Sequence, residues 1–118
     1  MQVIVLDSCA LIAFLARENN FEVVFKLLKQ SRNKELKLCM SAVNFGEVCT
    51  YLHKNLPSDA NRVISRLYKL TVEIIKADAE LAEVAGYYKS LGGVAYPDCF
   101  VLSLAKKLQA KIVTKDSE

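Results

Sequence analysis

This chain is poor in the residues from which many functional sites are built. It has a single histidine, His53, among 118 residues, so no histidine cluster can hold a transition metal. His53 also falls on a different side of its expected helix from Glu47, so a catalytic role for it is disfavoured. The four cysteines, Cys9, Cys39, Cys49 and Cys99, form no C-x-x-C pair and no zinc-like spacing. Each has apolar neighbours, where a free thiol behaves as a small buried hydrophobe, so all four are expected in the core. A disulfide framework does not suit so Leu-, Val- and Ile-rich a domain. No internal repeat, low-complexity tract or linker interrupts the sequence. There is also no basic motif interleaved with aromatics of the RNA-recognition kind.

The chain is equally short of membrane signals. Its longest apolar run, VIVLDSCALIAFL from Val3 to Leu15, is broken by Asp7 and falls below the ~20 residues that span a bilayer. Only Met1 and Gln2 precede it, where a leader peptide needs a basic segment. The expectation is a cytoplasmic protein with no membrane contact. Hydrophobic residues make up 53% and charged residues 25%, the balance of a globular domain with a sizeable core.

What is present is an alternation of short apolar runs with helical patterns. Val3–Leu6 is continuous and apolar, as a strand buried on both faces would be. Leu36–Met40 and Lys111–Thr114 read as further strands, and Thr71–Ile75, which alternates, as an edge strand. Helices are expected over Ser8–Ala16, Phe21–Gln30, Asn44–Leu56, Ser58–Leu67, Asp78–Ser90 and Pro97–Gln109, the last opened by its proline. The pattern predicts one α/β domain over 1–118, three layers (α/β/α) about a central, mainly parallel sheet. In such folds ligands sit beyond the carboxyl ends of the strands, where strand order reverses.

Four acids fall at that end. Asp7 follows the first strand, and Glu47 lies in the first turn of the helix after the second. Asp98 is in the first turn of the helix feeding the last strand, and Asp116 follows that strand. Singly, each has a plain alternative. Asp7 or Ser8 would cap a helix, Asn44 and Glu47 have capping-box spacing, Asp98 suits a helix dipole, and Asp116 sits near the terminus. Together they conflict, because two unit charges ~4 Å apart at an effective dielectric near 20 repel by about 4 kcal/mol. Carboxylates gathered in one crevice protonate or bind a cation, and hard oxygen ligands point to Mg²⁺ or Mn²⁺. Asp78 also follows a strand, but an edge one, and is expected to be a helix cap only. Asp59, Glu80 and Glu83 read as helix-surface charges.

Such an ion activates water and stabilises a leaving oxygen, which phosphodiester hydrolysis requires. The charge balance suits a polyanion: without the four acids, nine acidic residues face sixteen basic ones, a surplus of seven. Lys106, Lys107, Lys111, Lys115, Arg62 and Arg66 are available for phosphate contacts.

These stretches carry a family resemblance. VIVLDSCALIAFL resembles the first motif of PIN domains, SAVNFGEV the second, and PDCFVLSLAKKLQAKIVTKD the third and fourth. As a single domain the chain is most similar to the VapC-like toxins of VapBC toxin–antitoxin systems. The resemblance implies a Mg²⁺- or Mn²⁺-dependent endoribonuclease acting on RNA. Asp7 and Asp98 would be the principal metal ligands, with Glu47 and Asp116 completing the catalytic acidic site and Thr114 orienting it. It further implies a homodimer inhibited by a VapB-like antitoxin. Tyr87 and Tyr88 are candidates for the dimer surface, with core packing as their other role. Two departures stand out. Asn44 replaces the family's usual Thr or Ser, a mild change for a capping residue. The chain also ends just after Asp116, where PIN domains commonly continue, so either that part is missing or the sheet closes differently.

Two other functions compete with the toxin reading. A receiver-like Mg²⁺-binding signalling domain needs an acidic pair after the first strand, where Ser8 and Cys9 stand. A PIN domain in housekeeping RNA processing would share every site residue.

Overall fold

A computed structural model describes residues 1–115. Its elements run β1 (Gln2–Leu6), α1 (Ser8–Leu15), α2 (Phe21–Arg32), β2 (Leu36–Ser41), α3 (Ala42–Asn55), α4 (Ala60–Leu67), β3 (Val72–Ile75), α5 (Ala79–Ser90), α6 (Tyr96–Leu108) and β4 (Lys111–Val113). The strands form one sheet in the order β3-β2-β1-β4, and every pairing is parallel. This is the expected three-layer α/β/α architecture, with β3 at one edge as its alternating pattern required.

The central strands are apolar on both sides because both sides are covered. In β1, Ile4 and Leu6 join one core with Leu38 and Met40 of β2, packed beneath α1, α2, α3 and α4. Val5 and Cys39, one residue out of phase, join a second core with Leu81, Cys99, Phe100 and Leu104 of α5 and α6. Side chains alternate across a strand, so a continuous apolar run feeds two layers at once.

The chain builds β1, β2 and β3 outward in one direction, then crosses back to lay β4 against the far side of β1. Strand order therefore reverses at the β1–β4 boundary. Ile4, Val5 and Leu6 pair with Lys111, Ile112 and Val113, and the Asp7 amide continues the ladder by donating to the Val113 carbonyl at 3.3 Å.

Three sequence expectations change. The helix expected from Asn44 starts at Ala42, capped by Ser41, whose Oγ accepts from the Asn44 amide at 3.2 Å. Asn44 is thus not a cap, and Glu47 lies in the second helical turn rather than the first. Cys9 is exposed, whereas Cys39 and Cys99 are buried and Cys49 is partly covered. The reason is the face on which α1 packs: it buries Ser8, Ala10, Leu11 and Ala13, which turns Cys9 outward. Tyr88 packs against the second core, but Tyr87 is 59% exposed and takes no such part.

Candidate active site

Asp7 sits where β1 ends, its backbone extended at φ −86°, ψ 174°. Its Oδ1 accepts from the Ala10 amide at 2.8 Å, so it is the N-cap of α1, and this bond fixes the carboxylate at the carboxyl edge of the sheet. Asp98 arrives from the other direction, in the first turn of α6. Ala95 at the N-cap has no side-chain acceptor, so the helix start is left to favour a nearby negative charge.

These two carboxylates line one cleft of about 500 Å³ at the β1–β4 boundary, with Cys9, Ile112, Thr114 and Lys115. Residues from the two ends of the chain thus meet at the predicted switch point. Thr114 follows β4 and faces the same space as the two acids.

Glu47 is not a lining residue of that cleft. It stands half-buried beside it, one side chain removed from Asp7: Ser8 Oγ donates to Glu47 Oε1 at 2.9 Å, and Asn44 Nδ2 donates to the same oxygen at 3.1 Å. Its proximity shows in the Cys9 thiol, whose pKa is raised first by desolvation and then by the charges of Asp7, Asp98 and Glu47. Three of the four expected acids therefore act on one point. The fourth, Asp116, lies outside the described residues.

Among the described residues no three His, Cys, Asp or Glu side chains converge into a complete metal cage. The donor set nonetheless fits a hard divalent ion, since Mg²⁺ commonly takes one or two carboxylates and keeps several waters. Asp7 and Asp98 supply that number. Cys9, held as the neutral thiol, is a poor ligand beside them.

The controls behave as expected. Asp78 caps α5, accepting from the Leu81 amide at 2.9 Å, after edge strand β3 and away from the cleft. Exposed His53 lies at the far end of α3. Several basic residues are partly engaged: Lys107 with Glu80 at 3.8 Å, Arg62 with Asp59 at 2.9 Å, and Lys115 with Glu18 at 3.4 Å. Of these, Lys115 alone lines the cleft.

The sequence reading missed Ser8 and Asn44 as partners of Glu47. For Asn44 the available signal was Ser41: a hydroxyl residue at the end of a strand starts the helix earlier and places Asn44 inside it.

Comparison with known proteins agrees with this fold. The family model of the PIN domain matches residues 4–118. Ribonuclease VapC42 of Mycobacterium tuberculosis (strain H37Rv) is 26% identical over 96 residues, covering 79% of this chain and 70% of that protein. The crystal structure of M. tuberculosis VapC20, described as a sarcin–ricin loop cleaving toxin, superposes with a TM-score of 0.74 at 15% identity, over 98% of this chain and 91% of that one. The structure of Rickettsia felis VapBC2 bound to a promoter DNA fragment gives a TM-score of 0.72 at 16% identity, over 98% and 88%.

Proposed function

The chain belongs to the PIN-domain family, and from that premise we propose that it is a metal-dependent endoribonuclease, the toxin of a VapBC-type toxin–antitoxin pair. The observation that carries this reading is the meeting of Asp7 and Asp98 in one cleft at the point where strand order reverses. The ribonuclease named among its relatives and the VapBC structures that share its fold support it.

In this reading Asp7 and Asp98 hold Mg²⁺ or Mn²⁺, which when bound polarises a phosphoryl oxygen and activates water for hydrolysis. Glu47 and Asp116 complete the acidic site directly or through water, and Thr114 orients it. Lys115 at the rim offers a positive charge to the RNA backbone, and the wider surplus of Lys and Arg attracts the rest of the strand. Cys9, as a neutral thiol, adds no competing charge or ligand. The protein works in the cytoplasm as a homodimer, silenced by a VapB-like antitoxin.

The test is cleavage of RNA by purified protein with Mn²⁺ or Mg²⁺. Asp7→Asn and Asp98→Asn should each abolish cutting while circular dichroism shows an intact fold, and EDTA should stop the wild type. Cleavage at one rate by wild type and both variants would reveal a contaminant and refute the assignment. Co-expression with a small antitoxin encoded beside this gene should suppress the activity, which separates a toxin from a housekeeping nuclease.

A further inference from the structure

We propose that Ser8 and Asn44 act together as positioning residues for Glu47, holding one carboxylate oxygen so that the other is presented toward the cation. This rests on the metal-dependent reading above but assigns roles to two residues that reading does not use.

Asn44 is completely buried, and its amide group is closely engaged. One hydrogen of Nδ2 reaches Glu47 Oε1 at 3.1 Å, and the other reaches the Pro97 carbonyl at 3.0 Å. Oδ1 accepts from Ser41 Oγ. Both nitrogen-bound hydrogens are used, and turning the amide over would set an oxygen against two acceptors. The network therefore selects one orientation. Its two acceptors lie on different elements: Glu47 on α3, and Pro97 one residue before Asp98 on α6. Asn44 is thus a brace of fixed length between the two acid-bearing helices.

Ser8, next to Asp7 and also buried, donates to the same Glu47 oxygen at 2.9 Å. Glu47 Oε1 is held by two donors, from α1 and α3, while no hydrogen bond to Oε2 occurs among the described residues. A carboxylate held at one oxygen loses the freedom to swing away, so less ordering is left for the moment of ion binding. No buried side-chain polar atom among the described residues lacks a partner, so both residues form part of a satisfied framework about the carboxylate. An Asn at this position does what a Thr or Ser hydroxyl, with one donor, cannot do alone.

The experiment measures Mn²⁺ affinity directly, from free-ion electron paramagnetic resonance, and RNA cleavage across a Mn²⁺ titration. It compares wild type with Ser8→Ala, Asn44→Ala, Glu47→Ala and the two doubles containing Glu47→Ala. Thermal melts establish that each variant is folded. Each of the Ser8 and Asn44 singles should weaken Mn²⁺ binding by about ten- to a hundredfold, the range for outer-shell partners of metal ligands. In the Glu47→Ala background neither should cost anything further, because both act through that one side chain. Wild-type affinity in both singles, or losses that persist in the Glu47→Ala background, would overturn the proposal. Should Asn44→Ala fail to fold, Ser8→Ala decides by the same criteria, since alanine suits a helix start without changing the packing volume much. If wild type shows this affinity pattern yet leaves RNA intact, the nuclease reading falls while the brace stands. If it binds no Mn²⁺, both fall.

Discussion

In the proposed reading the carboxylate of Asp7 serves two purposes that a substitution can separate. One oxygen caps α1, which needs only an acceptor, whereas holding a cation needs the charge. Asparagine caps as well as aspartate. Asp7→Asn should therefore keep nearly all the stability of the wild type while losing cleavage, and Asp7→Ala should lose both, at about 1 kcal/mol of stability, as urea melts would record. The neighbouring Cys9 reports on the same charges. Its thiol pKa is raised by desolvation and by Asp7, Asp98 and Glu47, so at pH 8 it holds less of the reactive thiolate than a free cysteine. Iodoacetamide should modify it slowly, and Asp98→Asn, by removing one of those charges, should speed the reaction. Equal rates in the two proteins, followed by mass spectrometry of the Cys9 peptide, would mean that Asp98 does not act on this thiol. The placement of Asp7 and Asp98 was legible in the sequence because one follows a strand and the other begins a helix. Ser8 as a partner of Glu47 was not, because that contact depends on how α1 and α3 pack rather than on local pattern.

At the scale of the element, capping alone accounts for Asp78. Asp78 accepts from the Leu81 amide in the first turn of α5, so Asp78→Ala should cost about 1 kcal/mol with no change in cleavage. Asp59 precedes α4 but makes no side-chain cap bond, and its exposed pairing with Arg62 contributes at most about 1 kcal/mol. Asp59→Ala should therefore melt close to wild type. A larger loss for Asp59 than for Asp78 in denaturant titrations would contradict these assignments. Element boundaries were legible wherever a periodic apolar face began with the helix. They failed at α3, where the apolar stripe starts at Phe45 but the helix starts at Ala42. Ser41 is the last residue of β2 and also the cap of α3, and nothing in hydrophobic periodicity marks such a shared position.

Across the whole molecule the sheet order decides what can meet. β1 lies between β2 and β4, so Asp7 is central and Asp98 is brought to it by the helix that returns the chain to β4. A cation held by both ties the first loop to α6 and binds the folded state alone. Mn²⁺ at a hundred times its dissociation constant should add about 2.7 kcal/mol of stability, a rise of roughly 10 °C in melting temperature for a domain of this size. Asp98→Asn should abolish that rise. Without metal the same variant should melt close to wild type, because relief of like-charge repulsion in the cleft offsets the charge lost from the start of α6. The three-layer architecture was legible from the alternation of strand and helix. The split between exposed Tyr87 and packed Tyr88 was not, since it depends on the angle at which α5 meets its neighbours.

That crossover also sets a schedule. β4 is made well after its partner β1, with β2 and β3 between them. Until residue 98 has been added, the growing polypeptide has Asp7 without its distant counterpart. The cleft that both carboxylates line closes only once α6 and β4 exist to pack against β1.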